Sequence, residues 1–436
     1  MNTEAQSLID FLQKSPVNFL AVETVRQQLE ACGYKRICPA DTTPQVKPGD
    51  KVYFTKNDSA IFAMHIGELP MPEKGFHLIC AHSDSPTFRI KPNAEMVMQG
   101  GMVKINTEVY GGAILSTWFD RPLSIAGRVI LRTEDIMHPE SRLLHIQRPL
   151  LIIPNLAIHF NRQVNDGVKL SKQKDMLPIL GIFNGNEEIT ENGGLIRTLI
   201  SKELGVKADD IIDYDLYLYD TTPGCTFGFD NEFISAGRLD DLSMVHAGLT
   251  ALLADTETVP LHTKVLAVFD NEETGSATKQ GAGSPFFTTM LQRIILAQGY
   301  AMDDFYRSVE HSFMISADNA HGWHPNYSEK YDPTNHPVLG GGPVIKFNAA
   351  QKYASDASSA SIFQQICESA GVPCQRFVNH SDNAGGSTLG NILTGSLPIS
   401  GVDMGNPMLA MHSVRETASV FDHVACIKAF TEFYKI

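Results

Sequence analysis

Glu272 and Glu273 stand side by side directly after Thr263 to Asp270, an apolar run typical of a buried strand. Two adjacent carboxylates at the end of such a strand are costly unless positive charge compensates them. A divalent metal ion is the usual solution, with one carboxylate as a ligand and the other acting on a bound water. The alternative is a solvated helix start, where the helix dipole stabilises acidic side chains.

Other acidic and histidine side chains also follow apolar runs. His82 and Asp84 share one face of a strand end, so the aspartate can orient the histidine ring. Each cluster also has a structural interpretation, such as a capped strand or, for Asp240-Asp241, the N-cap of a helix starting at Leu242. The remaining clusters are Ser316 to His321, with Asp318, and Met411 to Ser413, with His412.

Together these residues favour a dinuclear metal site. The donors are imidazole nitrogens and carboxylate oxygens, a set that suits Zn²⁺ first and also Mn²⁺ or Co²⁺. The candidates include no thiolate, which argues against a structural zinc site. The chemistry predicted from the residues is hydrolysis by a water activated between two divalent ions.

Strands alternate with helices in the first part of the chain and again after Gly237, which predicts a mostly parallel, helix-covered α/β sheet. Ligands of such sheets bind beyond the carboxyl ends of the strands. Between these parts the pattern changes to recurring strands, including one at Leu150 to Phe160. We therefore expect a catalytic domain at 1–92 plus 236–436 and an inserted β-rich domain at 93–235.

Composition excludes several classes of protein. The formal net charge of −14, with no cluster of Lys or Arg, argues against nucleic-acid binding. No apolar run reaches the roughly 18 residues that a membrane span needs, and the N-terminus is typical of an amphipathic helix rather than a signal peptide. The seven scattered cysteines suit a reducing compartment, so we expect a cytoplasmic protein.

In this order, the clusters resemble the aspartyl aminopeptidase family of metallo-aminopeptidases. The resemblance runs from Ser15-Pro16 to the last helix and includes two further segments, Leu156 to Arg162 and Gly342 to Lys346. It implies that His82 and Asp318 are metal ligands, that Asp240 bridges two ions, and that Glu273 and His412 complete the ligand set. It also implies that Glu272 is the general base and that Asp84 orients His82.

The same resemblance implies a tetrahedral dodecamer in which His159, on the β-rich domain, enters a neighbouring subunit's site and binds the developing oxyanion. It makes Lys346 the partner of an acidic side chain at the substrate's N-terminus, with His321 as a further substrate contact. Without the resemblance, Lys346 would be taken for an exposed surface lysine. The expected substrates are peptides with N-terminal Asp or Glu.

Three alternatives stay open at this point. An aminopeptidase of the same fold could prefer neutral N-termini, and a deacylase or carboxypeptidase could use the same dinuclear scaffold. A homologue without activity could serve as a scaffold or cargo protein. The large insertion and the Gly342 to Lys346 segment favour the aminopeptidase, and the presence of Asp240 and Glu272 counts against a scaffold.

Overall fold

The protein is described by a computed structural model that covers residues 2–182, 193–383 and 385–436. The chain divides into two compact units. The first unit comprises Met1–Asp84, Gly224–Met411 and Glu416–Ile436, and the second comprises Ser85–Pro223 and His412–Arg415. The domain limits expected from the sequence, 92/93 and 235/236, stay a prediction.

The α-helices of the described residues are α1 Thr3–Lys14, α2 Asn18–Ala31, α3 Met71–Lys74, α4 Leu195–Leu204, α5 Leu239–Leu253, α6 Phe286–Ala297, α7 Met302–Glu310, α8 Ala357–Ser369, α9 Leu389–Leu393 and α10 Val420–Phe433. Short 3-10 turns lie at Gln99–Gly101, Leu115–Trp118, Val164–Asp166, Ala208–Asp210, Glu272–Thr274 and Ser328–Lys330. None of the helices within these ranges is long and apolar enough to cross a membrane.

The strands are β1 Lys35–Arg36, β2 Lys51–Lys56, β3 Ala60–His65, β4 Phe76–His82, β5 Thr87–Val97, β6 Met102–Tyr110, β7 Leu123–Leu131, β8 Glu140–His145, β9 Ile179–Ile182, β10 Ile211–Asp220, β11 Cys225–Phe227, β12 Phe233–Ala236, β13 Thr263–Phe269, β14 Phe313–Ala317, β15 Ala320–His321, β16 Val344–Phe347, β17 Gln375–Val378, β18 Ser400–Gly405, β19 Pro407–Leu409 and β20 Glu416–Ser419.

The first unit is built on a nine-stranded sheet of order β1-β2-β3-β13-β4-β14-β18-β16-β17. Its four central strands, β13, β4, β14 and β18, run parallel. Every residue of β13 is buried, because apolar clusters lie on both faces of the sheet under the helices. This confirms the mostly parallel, helix-covered α/β fold. A five-stranded sheet of order β11-β12-β20-β19-β15 completes the unit.

The second unit contains a six-stranded sheet of order β8-β7-β10-β5-β6-β9, in which the described neighbouring strands pair antiparallel. It also contains helix α4 and has its own apolar core. It confirms that the middle of the chain is rich in strands. The strand predicted at Leu150 to Phe160 is wrong, however. Residues 151–153 form only isolated bridges, and 158–160 form a turn in which Phe160 N–H donates to the Ala157 carbonyl. Pro154, which lacks an N–H donor, interrupts this segment.

Candidate metal centre

The candidate residues of the first unit converge because three central strands are parallel and in register. Strand β4 ends at His82, and Phe269 at the end of β13 is the register partner of His82. Strand β14 lies on the other side of β4 and ends one residue before Asp318. The side chains that follow these strands therefore lie at one edge of the sheet, where an α/β sheet places its ligands.

His82 is the centre of the first group of donors. Its Nε2 lies 3.8 Å from a carboxylate oxygen of Asp240 and 3.9 Å from one of Asp318. Asp240 comes from the start of α5, where it and Asp241 have non-helical backbone angles. One donor atom each from His82, Asp240, Asp241 and Asp318 lies within 4.8 Å of the others. This group is the ligand cluster.

Glu272 and Glu273 lie beside the ligand cluster, since one donor atom from each falls within 4.8 Å of a His82 nitrogen. Both belong to a 3-10 turn, Glu272–Thr274, instead of a solvated helix start. The Asp84 carboxylate holds this turn by accepting the N–H groups of Glu272 and Glu273, each at 3.1 Å. Asp84 thus fixes the backbone of both glutamates.

Asp84 also contacts His82. The Nδ1 atom of His82 is 3.0 Å from the main-chain oxygen of Asp84 and 3.4 Å from its carboxylate. Both side chains are buried. Because Nδ1–H donates to the Asp84 carbonyl, Nε2, which faces Asp240 and Asp318, is the nitrogen available to a metal.

Sequence reasoning did not assign a role to Asp241 or Asn319. The Asp241 carboxylate accepts the His82 N–H at 3.1 Å, so it holds the end of β4 against the start of α5. The Asn319 amide donates to the Leu239 carbonyl at 2.9 Å and also to Asp241 at 3.3 Å. The signal that could have found them is their position, because each directly follows a predicted ligand.

Negative charge exceeds positive charge in this region. Burial raises the pKa of Glu272 to about 8, an effect that His82 opposes and Asp318 strengthens. Burial likewise raises the pKa of Asp241 well above its ordinary value. For His82, burial acts to lower the pKa, but the charges of Asp241 and Asp84 outweigh it and raise the value. Carboxylates and imidazole gathered in this way form a donor set that fits divalent cations such as Zn²⁺.

Lys346 lies inside the protein, not on its surface. It is 3% exposed, and its Nζ is 3.3 Å from an Asp318 oxygen and 3.2 Å from the Asn319 carbonyl. The Tyr353 ring centroid is 5.5 Å from the same Nζ. Burial acts to lower the pKa of Lys346, but the charge of Asp318 outweighs it and raises the value. The lysine is thus a buried cation beside a candidate ligand.

Three predicted residues, His321, His159 and His412, are not among the members of the ligand cluster. His321 ends β15 in the first unit, is exposed, and packs its ring 6.1 Å from that of Phe377. His159 and His412 belong to the second unit. His159 is exposed in the turn at 158–160, and His412 places Nδ1 3.2 Å from the Gly112 carbonyl. Their expected roles stay predictions.

Known proteins match the chain over nearly its whole length. The family model for aminopeptidase I zinc metalloproteases (M18) matches residues 11–434. A probable M18 family aminopeptidase 2 of Clostridium acetobutylicum is 50% identical over 99% of this chain and 98% of its own. The corresponding protein of Pseudomonas entomophila is 42% identical over 98% and 97%.

Solved structures agree with the sequence relatives. A structure of the Ape4 and Nbr1 complex aligns with a TM-score of 0.94 at 35% identity, covering 99% of this chain and 85% of that one. A Saccharomyces cerevisiae mApe1 dodecamer aligns with a TM-score of 0.86 at 25% identity, covering 99% and 96%. An M18 aminopeptidase of Thermotoga maritima shares the fold at 23% identity, with a TM-score of 0.84 and coverage of 99% and 96%. The chain therefore belongs to the M18 family of zinc metallo-aminopeptidases.

Proposed function

We propose that this protein is a dinuclear aminopeptidase that removes acidic residues, Asp or Glu, from the N-termini of peptides. The observation that carries the proposal is the ligand cluster itself, with the His82 Nε2 facing the carboxylates of Asp240 and Asp318. Glu272 and Glu273 lie within 4.8 Å of His82, and the buried Lys346 cation lies 3.3 Å from Asp318. This combination offers metal ligands, a base and a basic residue for substrate recognition.

In this proposal His82 and Asp318 would be ligands of the metal pair, Asp240 would bridge, and Glu273 and His412 would complete the two ligand sets. The ligand roles of Glu273 and His412 rest on the resemblance to the family. When bound, two Zn²⁺ ions would polarise the peptide carbonyl and lower the pKa of a shared water from about 15.7 towards roughly 7. Mn²⁺ or Co²⁺ suits the same donors.

Glu272 acts as the general base. Its carboxylate takes a proton from the attacking water and later gives that proton to the leaving amine. Two hydrogen bonds from the 3-10 turn to Asp84 fix its backbone, so the side chain starts from a defined position. Asp84 serves as a positioning residue for both His82 and Glu272.

Lys346 supplies the preference for acidic N-termini by pairing with the substrate's carboxylate, and His321 contributes a further contact. A buried ammonium binds a carboxylate more strongly than an exposed one because water screens it less. A neutral preference is the second candidate, and one observation favours it. The Nζ of Lys346 already contacts Asp318 and the Asn319 carbonyl, which would occupy its donors when substrate arrives.

We further propose that the protein is a homo-oligomer, in the form of a tetrahedral dodecamer, and that His159 of one subunit binds the oxyanion in another. The dodecameric assembly of the mApe1 structure supports oligomerisation. The exposed position of His159 is compatible with a role outside its own subunit. In this role the imidazole would donate a hydrogen bond to the developing negative charge.

The test is hydrolysis of aminoacyl substrates with Asp, Glu, Ala, Leu or Lys at a free N-terminus, and of N-acetyl-Asp as a blocked control. Each is assayed after chelation and after adding back Zn²⁺, Mn²⁺ or Co²⁺. Cleavage restricted to free Asp and Glu, and dependent on metal, is the expected result. Cleavage of neutral termini instead would replace the acidic preference with the second candidate. Absence of hydrolysis with every metal would contradict the enzyme assignment for this chain.

A further inference from the structure

The carboxylate of Asp403 is fully buried in β18 and belongs to no group of donors around His82. It accepts hydrogen bonds from three separate parts of the first unit. Oδ1 accepts from the hydroxyl of Thr388, at 2.7 Å, and from that of Ser316, and Oδ2 accepts from the Ala354 N–H. Such a carboxylate is retained only when its partners compensate for the loss of water.

These partners connect Asp403 both to the candidate metal ligand Asp318 and to the proposed substrate-binding residue Lys346. Ser316 is its register partner in β14 and precedes the candidate ligand Asp318 by two residues. The segment 354–355 closes around Asp403, because Ser355 Oγ accepts the Asp403 N–H at 2.9 Å while Ala354 donates to the carboxylate. Tyr353 comes directly before this segment and faces the Lys346 Nζ with its ring.

We propose that Asp403 is a positioning residue that sets substrate selectivity by fixing the segment 353–355, and through it the Tyr353 ring, against Lys346. This inference rests on the proposed function, since it concerns the same substrate pocket. Asp403 contacts neither substrate nor metal in this role. The atoms around Asp403 are closely packed. A Cβ added at Gly390 would lie 2.9 Å from Oδ1 of Asp403 and 2.5 Å from Oγ of Ser316.

The test compares Asp403→Asn with wild type. An asparagine carries no charge and has one acceptor oxygen instead of two, so it cannot accept from the two hydroxyls and the Ala354 N–H at once, which weakens the link to the segment. We expect KM for an N-terminal Asp substrate to rise about tenfold and kcat to change less than about threefold. The ratio of kcat/KM for Asp over Ala substrates should fall, while bound metal measured by elemental analysis stays constant.

A purely structural role would reduce the active fraction equally for both substrates, so an unchanged ratio would overturn the inference. Thr388→Val removes one hydrogen bond, keeps the carboxylate, and should shift the ratio by about two- to threefold if Asp403→Asn fails to fold. Asp220→Asn is the control, since Asp220 is a buried carboxylate of the second unit that pairs with Arg121. Loss of all wild-type hydrolysis would count against the proposed function, whereas an unchanged ratio in an active enzyme counts against Asp403 alone.

Discussion

In the first unit His82, Asp84 and Lys346 are buried and hydrogen-bonded, whereas in the second unit His159 lies in an exposed turn. His82 is bonded through both its N–H and its ring, to Asp241 and Asp84. The turn carrying His159 is closed by two main-chain hydrogen bonds, from Phe160 to Ala157 and from Asn161 to Ile158. If His159 takes its proposed role, residues preorganised by a sheet would act together with a residue on a surface segment.

Glu272→Gln tests the preorganised part most severely. The amide keeps the shape of the side chain but cannot take a proton, so we expect kcat to fall by about 10³-fold while bound metal and assembly stay unchanged. Steady-state kinetics, elemental analysis and light scattering measure these quantities. Glu310→Gln, on the exposed end of α7, is the control. Near-normal turnover of this variant would show that Glu272 is not the general base.

His159→Ala tests the exposed part. If the imidazole stabilises the oxyanion, its loss should lower kcat by about 10²-fold and leave the fold of the subunit unchanged, because the side chain is exposed. The matched control is His138→Ala, another exposed histidine of the second unit. Equal activity of the two variants would exclude His159 from stabilising the oxyanion.

Lys346→Met sharpens the comparison by removing a buried charge from the first unit while keeping most of its volume. We expect kcat/KM for Asp and Glu substrates to fall about 30- to 100-fold, because a desolvated ion pair with the substrate is lost. Substrates with neutral N-termini should change much less. Lys428→Met, an exposed residue of α10, controls for general effects of lost charge. An equal loss for every substrate would exclude Lys346 from selectivity.

Low pH should lower the free energy of unfolding of the first unit through the buried histidine His246, which lies beside His423. His246 Nδ1 is 3.0 Å from His423 Nε2, and its Nε2 is 3.0 Å from the Ser7 hydroxyl on α1, with Phe11 packed against the ring. Burial lowers the pKa of His246 to about 4. The unfolded chain, with a histidine pKa near 6.5, therefore binds more protons, so stability is retained above about pH 6.5 and is lost as pH falls towards 4.

From pH 7 to pH 5 this histidine alone should lower the free energy of unfolding by about 2 kcal/mol. The stability advantage of wild type over His246→Gln should shrink by that amount, as measured by denaturant unfolding at both pH values. Comparing wild type with this variant cancels the contributions of other titrating groups, including the buried carboxylates, to the pH dependence of the free energy of unfolding. A constant difference between the two proteins would show that folding does not lower the pKa of His246.

The parts of the site that follow strands were predictable, because apolar runs such as Phe76 to His82 and Thr263 to Phe269 mark buried strands without knowledge of their neighbours. The burial of Lys346 was not predictable. It depends on Asp318 and Tyr353, which reach it only through the order of strands in the sheet. Asp241 was missed for the same reason, since its partner His82 lies 159 residues away.

The error at Leu150 to Phe160 has a different cause. Its apolar residues resemble a strand, and part of the segment does make bridges, but Ile152, Leu156, Ile158 and Phe160 are exposed. Hydropathy cannot separate a residue that packs in its own subunit from one that stays on the surface. The amide group of Asn155 bonds instead to Asp120, at 2.8 Å, which holds the segment outside a regular ladder.

The sheet order also governs how the protein is made. Strands β3 and β4 are consecutive in the chain but are separated in the sheet by β13, which follows the whole of Ser85–Pro223. At about 5–20 residues per second, a ribosome needs roughly 10–40 s between β4 and β13. During that interval β3 and β4 cannot yet pair with β13, the strand that lies between them. The intervening segment can form its own core first. The candidate metal centre can consequently assemble only late in translation, after the inserted unit has been synthesised.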